Sequence, residues 1–274
     1  MQPDLFQLTA ELELRHWWFT ARRRILTALV RRILPPARDA LVVDVGCGTG
    51  ANLAAFSELY TCIGIDPSET AVRLARHRFP AVDFRVGSGL GDLSGSGQRA
   101  DLFLLLDVLE HVADDFELFS EIAAEARPGA RILLTVPADP SLWSVHDVSH
   151  DHYRRYQPER LRMVWQGLPV RVRMLSHFNA RLYPLVRMAR LAGRWTGRQL
   201  GAQKTDLRLP PGPLNRLLEE IFAGEARRLV DLLEGRRASG YRRGVSLVAI
   251  LEREQGRLER RSRPADLPPV EIPA

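Results

Sequence analysis

Between residues 40 and 136, short apolar runs alternate with longer stretches of helical periodicity. Mainly apolar runs of this kind predict strands buried on both faces, and helices between them predict a parallel sheet covered on both sides. The predicted strands are Leu41 to Val45, Cys62 to Asp66, Val82 to Val86, Leu102 to Leu106 and Arg131 to Val136, and the predicted helices lie near 51–59, 68–78 and 114–126.

Further elements are predicted on both sides of this core. Residues 11–34 predict one amphipathic helix that ends before two prolines. Its apolar face carries Trp18, Ile25, Leu29 and Ile33. After the core, Pro158 begins another predicted helix. Two more strands are predicted, with helical, arginine-rich sequence between them, at Val170 to Leu175 and Val245 to Leu251.

The net charge of +6, from 39 basic and 33 acidic residues, is unevenly distributed. Residues 1–34 carry +3 and residues 180–251 carry +8, whereas residues 35–179 carry −5. Lys204 is the single lysine, so the basic residues are almost all arginines. The basic excess therefore belongs to the two flanks of an acidic middle, and it is weak evidence for nucleic-acid binding.

The expected location of the chain follows from what its sequence lacks. No apolar run is long enough to predict a membrane span, and the first residues have neither the basic start nor the apolar centre of a signal peptide. We therefore expect a cytoplasmic protein. Its two cysteines, Cys47 among glycines and Cys62 in an apolar run, are predicted to be free, buried thiols.

The strongest local signal is a strand that runs into a glycine-rich turn and then into a helix, at Val42 to Gly50. Glycines allow positive φ angles and let a ligand approach the backbone, while the first amide groups of a helix are free to bind it. Asp44 lies inside the strand. Asp66 ends the next strand, where a carboxylate can accept both hydroxyls of a ribose. The same glycines fit a nicotinamide-dinucleotide enzyme, which is the alternative.

Two segments downstream help to separate these alternatives. Leu104 to Val112 reads LLLDVLEHV, and Ala126 to Pro137 reads ARPGARILLTVP. With the glycine turn, in this order and spacing, they resemble the class I S-adenosylmethionine-dependent methyltransferases, in the broad type 11/12 group of small-molecule enzymes. The resemblance covers residues 40–140.

The resemblance implies an α/β fold with a Rossmann-like, doubly wound sheet of seven mostly parallel strands, the last of them antiparallel. It implies S-adenosyl-L-methionine as the cofactor. We expect an N-terminal helical lid at 1–36, the cofactor-binding core at 37–178, a helical insertion that caps the acceptor side at 179–243, the last core strand at 244–252, and a disordered tail at 253–274.

The resemblance also implies which residues contact the cofactor, most of them at the carboxyl ends of strands. Many relatives carry an acid after the third strand to accept the adenine amino group. This chain has Gly-Ser-Gly there, so Ser88 or a backbone carbonyl would take that place. The implied cofactor-binding residues are Asp44, Gly46, Gly48, Gly50, Asp66, Ser88, Gly89, Asp107 and Val108.

The densest polar cluster follows the fifth strand, at residues 143–156. Loops at the carboxyl ends of parallel strands bind ligands in open α/β sheets, so we expect this segment to meet the methyl acceptor. It resembles a D-x-x-x-x-H-x-R-R-Y stretch of many relatives, which falls on Asp147, His152, Arg154, Arg155 and Tyr156. The candidate catalytic residues are His152, His146 and Asp147. The candidate substrate contacts are Trp18, Arg22, His111, Trp143, Arg155 and Tyr156.

Two other uses of this polar cluster stay open. Neutral imidazole and carboxylate groups suit zinc or iron, so the segment could hold a metal. Its side chains could also tie the loop to the sheet. Because the spacing of the histidines matches no recognised ligand signature, we assign no metal ligand from the sequence.

Residues 181–198 predict a basic amphipathic helix. Its apolar face, which includes Leu185 and Met188, is expected to pack on the sheet, and contact with an anionic membrane is the alternative. The expected methyl acceptor is a small molecule or a lipid-like metabolite. The basic flanks leave an RNA methyltransferase as an alternative, although the sequence contains no evident RNA-binding groove or module.

Overall fold

The computed structural model describes residues 3–93, 95–196 and 208–256. Its centre is one sheet of seven strands in the order β3-β2-β1-β4-β5-β7-β6. The strands are β1 (Leu41–Val45), β2 (Thr61–Asp66), β3 (Asp83–Val86), β4 (Leu102–Leu106), β5 (Arg131–Pro137), β6 (Val170–Phe178) and β7 (Ser246–Arg253).

The described helices follow the strands and also precede the first one. They are α1 (Pro3–Leu12), α2 (Trp17–Ile33), α3 (Ala51–Ala54), α4 (Glu69–Arg78), α5 (Ser96–Arg99), α6 (Asp115–Glu125), α7 (Val145–Ser149), α8 (Pro158–Met163), α9 (Tyr183–Thr196), α10 (Gly212–Ala223) and α11 (Ala226–Leu233).

The topology confirms the predicted mostly parallel sheet. Strands β1 to β5 pair in parallel, with β1 between β2 and β4. Strand β7 lies between β5 and β6 and is antiparallel to both. From β1 the chain first adds β2 and β3 on one side and then β4 and β5 on the other. At this switch point, between β1 and β4, a crevice for ligands forms at the carboxyl ends of the strands.

Two apolar layers cover the two faces of the sheet. Along β1, Val43 belongs to one layer and Val42 to the other, because successive side chains of a strand point to opposite faces. The first layer contains residues of α6 and α8, and the second contains residues of α2, α4, α10 and α11. The chemistry of the site is thus held by a sheet that is packed on both sides.

Helix α2 is part of this core. Ile25, Leu26 and Leu29 are completely buried against the sheet. Burying each side chain of this size contributes about 1.5–3 kcal/mol. The expected lid at 1–36 is therefore anchored by the packing of its own second helix.

The prediction of one helix over 11–34 is wrong, because the chain breaks between α1 and α2. His16 caps the second helix: its Nδ1 accepts a hydrogen bond from the Trp18 amide at 3.3 Å. The predicted helix at 51–59 is also too long, since α3 ends at Ala54. The Ser57 hydroxyl donates to the Ala54 carbonyl at 2.9 Å and competes there with helical bonding.

Helix α9 departs from the prediction that its apolar face packs on the sheet. Leu185 is 62% exposed and Met188 is 67% exposed. The side chains of Arg194, Trp195 and Arg198 lie outside the described part, as does the predicted tail beyond residue 256. Cys47 and Cys62 are free and buried, as predicted. None of the described helices is long and apolar enough to cross a bilayer.

Candidate active site

The glycine turn between β1 and α3 has the backbone that its sequence predicts. Gly46, Gly48 and Gly50 all have positive φ, at 75°, 53° and 88°. At Gly46 a side chain is excluded by contact as well, because a Cβ atom would lie 2.6 Å from a methyl carbon of Val108. Val108 thus packs directly over the turn, which brings the end of β4 beside the end of β1.

Asp44 lies beneath this turn and is almost completely buried, with 2% of its surface exposed. Its Oδ1 atom has no hydrogen-bond partner among the described residues. Burial raises the pKa of Asp44 to about 8, although the charge of Arg22 opposes this increase. A buried carboxylate oxygen without a partner is costly, so it is suited to bind a cationic ligand group.

Asp66 supports the glycine turn from the end of β2. Its Oδ2 accepts the Gly48 amide and its Oδ1 accepts the Ser68 amide, both at 2.9 Å. Burial raises the pKa of Asp66, and these two amide hydrogen bonds oppose the increase. The carboxylate is therefore fixed at the edge of the cleft, and its contact with a ribose stays a prediction.

Glu13, which sequence reasoning missed, locks the N-terminal segment onto the same turn. The Thr49 hydroxyl donates to Glu13 Oε1 at 2.7 Å, and Arg78 of α4 forms an ion pair with the same carboxylate. Arg78 also donates to the Thr49 carbonyl at 3.1 Å. No local pattern predicts this contact, because it joins residues far apart in the chain.

A second buried ion pair joins α2 to the end of β4. Arg22 Nη2 lies 2.7 Å from Asp107 Oδ2 and donates to the Thr135 hydroxyl at 2.6 Å. The Thr135 hydroxyl donates in turn to Asp107 Oδ1 at 3.0 Å. The Arg22 guanidinium also lies over the Trp18 ring, 5.1 Å from its centre. The structure thus brings together three of the predicted site residues, Trp18, Arg22 and Asp107.

Asp147 is the centre of the polar segment that follows β5. This side chain is completely buried and accepts Arg155 Nε at 2.8 Å and Nη2 at 3.1 Å. Its Oδ1 also lies 3.1 Å from His152 Nδ1. Burial alone would raise the pKa of Asp147, but hydrogen bonds from His152 and Arg155 and the charge of Arg155 hold it below its usual range. Asp147 is thus ionised, and it positions other side chains.

Arg155 and Tyr156 are held inside the protein. Arg155 is 9% exposed and also donates to the Ala138 carbonyl at 3.1 Å. Tyr156 is completely buried, and its hydroxyl donates to Asp115 at 2.9 Å. Their burial argues against the predicted contacts with the acceptor. It favours the alternative that these two side chains tie the loop to the sheet.

Four histidine rings lie close together beside Asp147. The ring centres of His111 and His152 are 4.6 Å apart, and those of His146 and His150 are 4.0 Å apart. Burial lowers the pKa of His111 to about 3 and lowers the pKa values of His146 and His150. These three rings are therefore neutral at pH 7.

Glu110 is a second residue that the sequence did not single out. It is completely buried, and burial followed by the charge of Asp107 raises its pKa well above the usual range. Neither of its carboxyl oxygens has a hydrogen-bond partner within the described ranges. In the sequence, the feature that could have pointed to Glu110 as a site residue was its position beside His111, shortly after β4.

The remaining predicted residues lie at the same end of the sheet. Ser88 and Gly89 follow β3, with Ser88 exposed, and Trp143 lies half-buried after β5. Their roles toward the cofactor and the acceptor stay predictions.

The strand order and the glycine turn define the fold of a class I S-adenosylmethionine-dependent methyltransferase. A model of the methyltransferase domain family matches residues 18–193. The chain therefore belongs to this family, whose cofactor is S-adenosylmethionine. The nicotinamide alternative is set aside.

Individual proteins similar to this chain are also named as methyltransferases. A Mycolicibacterium smegmatis protein named as a probable S-adenosylmethionine-dependent methyltransferase is 31% identical over 140 residues, which cover 49% of this chain and 53% of the relative. A ubiquinone biosynthesis O-methyltransferase of Rhizobium johnstonii is 27% identical over 164 residues, 53% of this chain and 66% of the relative. The chain thus spans about half to two thirds of these curated relatives.

A solved structure shows the same fold. The S-adenosylmethionine-dependent methyltransferase from Archaeoglobus fulgidus superposes with a TM-score of 0.52 at 20% identity, over 84% of this chain and 94% of that one. At this level of identity the likeness concerns the fold alone.

The site residues fit the family's cofactor. The methionine end of S-adenosylmethionine carries an ammonium group, and the unpartnered Oδ1 of Asp44 offers it an acceptor beneath the turn. Gly48 has positive φ, and a Cβ there would meet no atom within 4 Å, so the backbone is open on that side.

Proposed function

We propose that this protein transfers a methyl group from S-adenosylmethionine to a hydroxyl oxygen of a small, lipid-like molecule. The observation that carries the proposal is the orphaned oxygen of Asp44 under the glycine turn, which matches the cation at one end of the cofactor. The ubiquinone biosynthesis O-methyltransferase among the relatives supports oxygen as the acceptor atom.

In this proposal, some residues bind the cofactor and others remove the proton of the acceptor. Asp44 would hold the cofactor ammonium and Asp66 its ribose, while Val108 closes the turn from β4. When bound, the cofactor supplies a methyl carbon already activated by its positively charged sulfur. Alignment of the acceptor oxygen and exclusion of water then supply most of the rate.

The acceptor hydroxyl must lose its proton as the new carbon–oxygen bond forms. Of the two histidines among the candidate catalytic residues, His152 and His146, His152 is better placed to accept this proton. Asp147 binds its Nδ1 at 3.1 Å, which fixes the ring and leaves Nε2 directed elsewhere. A carboxylate that orients an imidazole in this way is the common arrangement of a general base.

The exposed face of α9 supports a lipid-like acceptor. Leu185, Met188 and Leu191 are exposed on this helix, and residues 183–196 contain three arginines and no acid. Such a helix suits the surface of an anionic membrane. Sedimentation with phosphatidylglycerol vesicles at low salt should carry wild-type protein, and Met188→Glu should reduce the bound fraction. Equal sedimentation of both proteins would contradict the membrane contact.

The function is tested by binding and then by turnover. Calorimetric titration should show S-adenosylhomocysteine binding and no binding of NAD. With methyl-labelled S-adenosylmethionine, aromatic hydroxyl acceptors bearing an alkyl chain should gain label, whereas the same acceptors with the hydroxyl blocked should not. Labelling of the blocked acceptors, or of RNA in preference to both, would overturn the assignment of the acceptor.

A further inference from the structure

Glu110, His111 and His152 form a cluster of three ligand-type side chains at the end of β4. One ligand atom from each lies within 4.8 Å of the others. Glu110 and His111 are adjacent in the chain, and His152 reaches them from the segment after β5. We call them the Glu110–His111–His152 cluster.

The buried carboxyl group of Glu110 is the first reason to expect a ligand here. Glu110 is completely buried, and its two oxygens both lack a hydrogen-bond partner in the described part of the chain. A buried polar group without a hydrogen-bond partner is costly, so native proteins nearly always give it one. A bound cation would satisfy the carboxylate directly.

The orientation of His152 is the second reason. Asp147 binds its Nδ1 and is itself fixed by Arg155. A carboxylate on one imidazole nitrogen is the usual support for a histidine whose other nitrogen binds a metal. Nε2 of His152 is the nitrogen that this support leaves for a ligand.

The third reason is the chemistry of the set. Two imidazoles and one carboxylate are the protein ligands of many catalytic zinc sites, which keep a fourth position open for water or substrate.

We infer that Glu110, His111 and His152 bind one divalent transition-metal ion, with zinc as the best match to the ligands. Ligands around zinc lie about 2.0–2.2 Å from the ion, so the three side chains draw closer together on binding.

This site gives the acceptor oxygen a second route to deprotonation. An oxygen bound to the ion loses its proton more readily, and that proton passes to solvent. His152 cannot act as a free base and as a ligand in the same molecule, so metal content decides between these uses. The catalytic use rests on the proposed function, whereas metal binding itself does not.

The test is a metal titration of untagged, chelator-treated protein with Co²⁺ and then with Zn²⁺. The wild-type protein should bind one Co²⁺ per chain, with the visible absorption of a four- or five-coordinate ion, and Zn²⁺ should displace it. Glu110→Gln and His111→Ala should each weaken binding by about 100-fold or more. Asp147→Asn, which weakens the support of His152 and also alters the pair with Arg155, should weaken it by about 10- to 100-fold.

His150→Ala is the matched control, because His150 lies in the same segment, is buried and is not part of the cluster. It should leave Co²⁺ affinity within about threefold of wild type, and circular dichroism should show that every variant is folded. Loss of binding in His150→Ala together with retention in His111→Ala would overturn the assignment, as would an absence of stoichiometric binding to wild type. Titration with S-adenosylhomocysteine distinguishes such a failure from failure of the proposed function.

Discussion

Buried charges are paired differently on the proposed cofactor side of the cleft, around the glycine turn, and on the proposed acceptor side, around the segment that follows β5. On the cofactor side, Asp66 and Glu13 are bound by the glycine turn and Arg78, whereas Asp44 keeps an unpartnered oxygen. On the acceptor side, the conspicuous polar residues satisfy one another. Asp147 pairs with Arg155, and Tyr156 bonds to Asp115.

This difference shows which polar residues are available to ligands. A charged side chain in a cleft is free to bind only if the fold has not already paired it. The motif residues Asp147 and Arg155 are the scaffold of the acceptor side, whereas Glu110, outside that motif, carries the unsatisfied oxygens. Mutations should therefore affect stability on the acceptor side and ligand binding on the cofactor side.

The largest effect is expected for Arg155→Met, which leaves the Asp147 carboxylate buried without its cation. Breaking a buried ion pair by removing one partner costs about 3–5 kcal/mol. We expect the free energy of unfolding, measured with urea, to fall by that amount.

Arg162→Met is the control for this variant, because Arg162 is exposed and its pair with Glu159 is on the surface. Its effect should stay within about 0.5 kcal/mol. Equal stability of the Arg155 and Arg162 variants would contradict a scaffolding role for the buried pair.

A smaller effect, on binding, is expected for Asp44→Asn. Losing a hydrogen bond to a charged group costs about 1.5–3 kcal/mol, so S-adenosylhomocysteine should bind about 10- to 150-fold more weakly by calorimetry. Asp83→Asn, on the exposed start of β3, should leave affinity unchanged.

The same variant should have the opposite effect on the stability of the ligand-free protein. Because the pKa of Asp44 is raised to about 8 in the folded state, its stabilising contribution is complete below the unfolded value near 4 and is lost as the pH rises through 8. Asparagine resembles the protonated form. At pH 9 Asp44→Asn should therefore melt at a higher temperature than wild type, and a lower melting temperature would refute the buried-charge interpretation.

The smallest effect is expected for Glu13→Gln, which weakens the support of the glycine turn without touching the ligand. The loss of about 1 kcal/mol expected for one buried hydrogen bond corresponds to about fivefold weaker binding of S-adenosylhomocysteine. Glu11→Gln, an exposed change in the same segment, is the control. Equal affinities in the two variants would show that Glu13 does not support the turn.

The parts of the fold that the sequence predicted are those encoded locally. The bounds of β1 and β4 were predicted correctly because every residue in them is apolar or belongs to the glycine motif. The helix break before Trp17 was missed because it depends on the side chain of His16 acting as a cap.

The same contrast between local patterns and long-range contacts holds for the candidate site. The glycine turn and Asp44 beneath it could be predicted as a candidate site because strand, turn and helix follow one another in a short segment. Contacts such as Glu13 with Thr49, or Tyr156 with Asp115, join distant segments and become visible only in the folded chain. The burial of Arg155 could not be predicted either, because it depends on packing around Asp147.

The central claim is that the unpartnered oxygen of Asp44 binds the ammonium group of the cofactor. Its most direct test is proton release when S-adenosylhomocysteine binds. The ligand's ammonium should ionise a carboxyl group whose pKa is about 8 in the free protein. Calorimetry at pH 7 in buffers of different ionisation enthalpy should then show close to one proton released by wild type and none by Asp44→Asn. Binding without proton release in wild type, or equal release in both proteins, would contradict the claim.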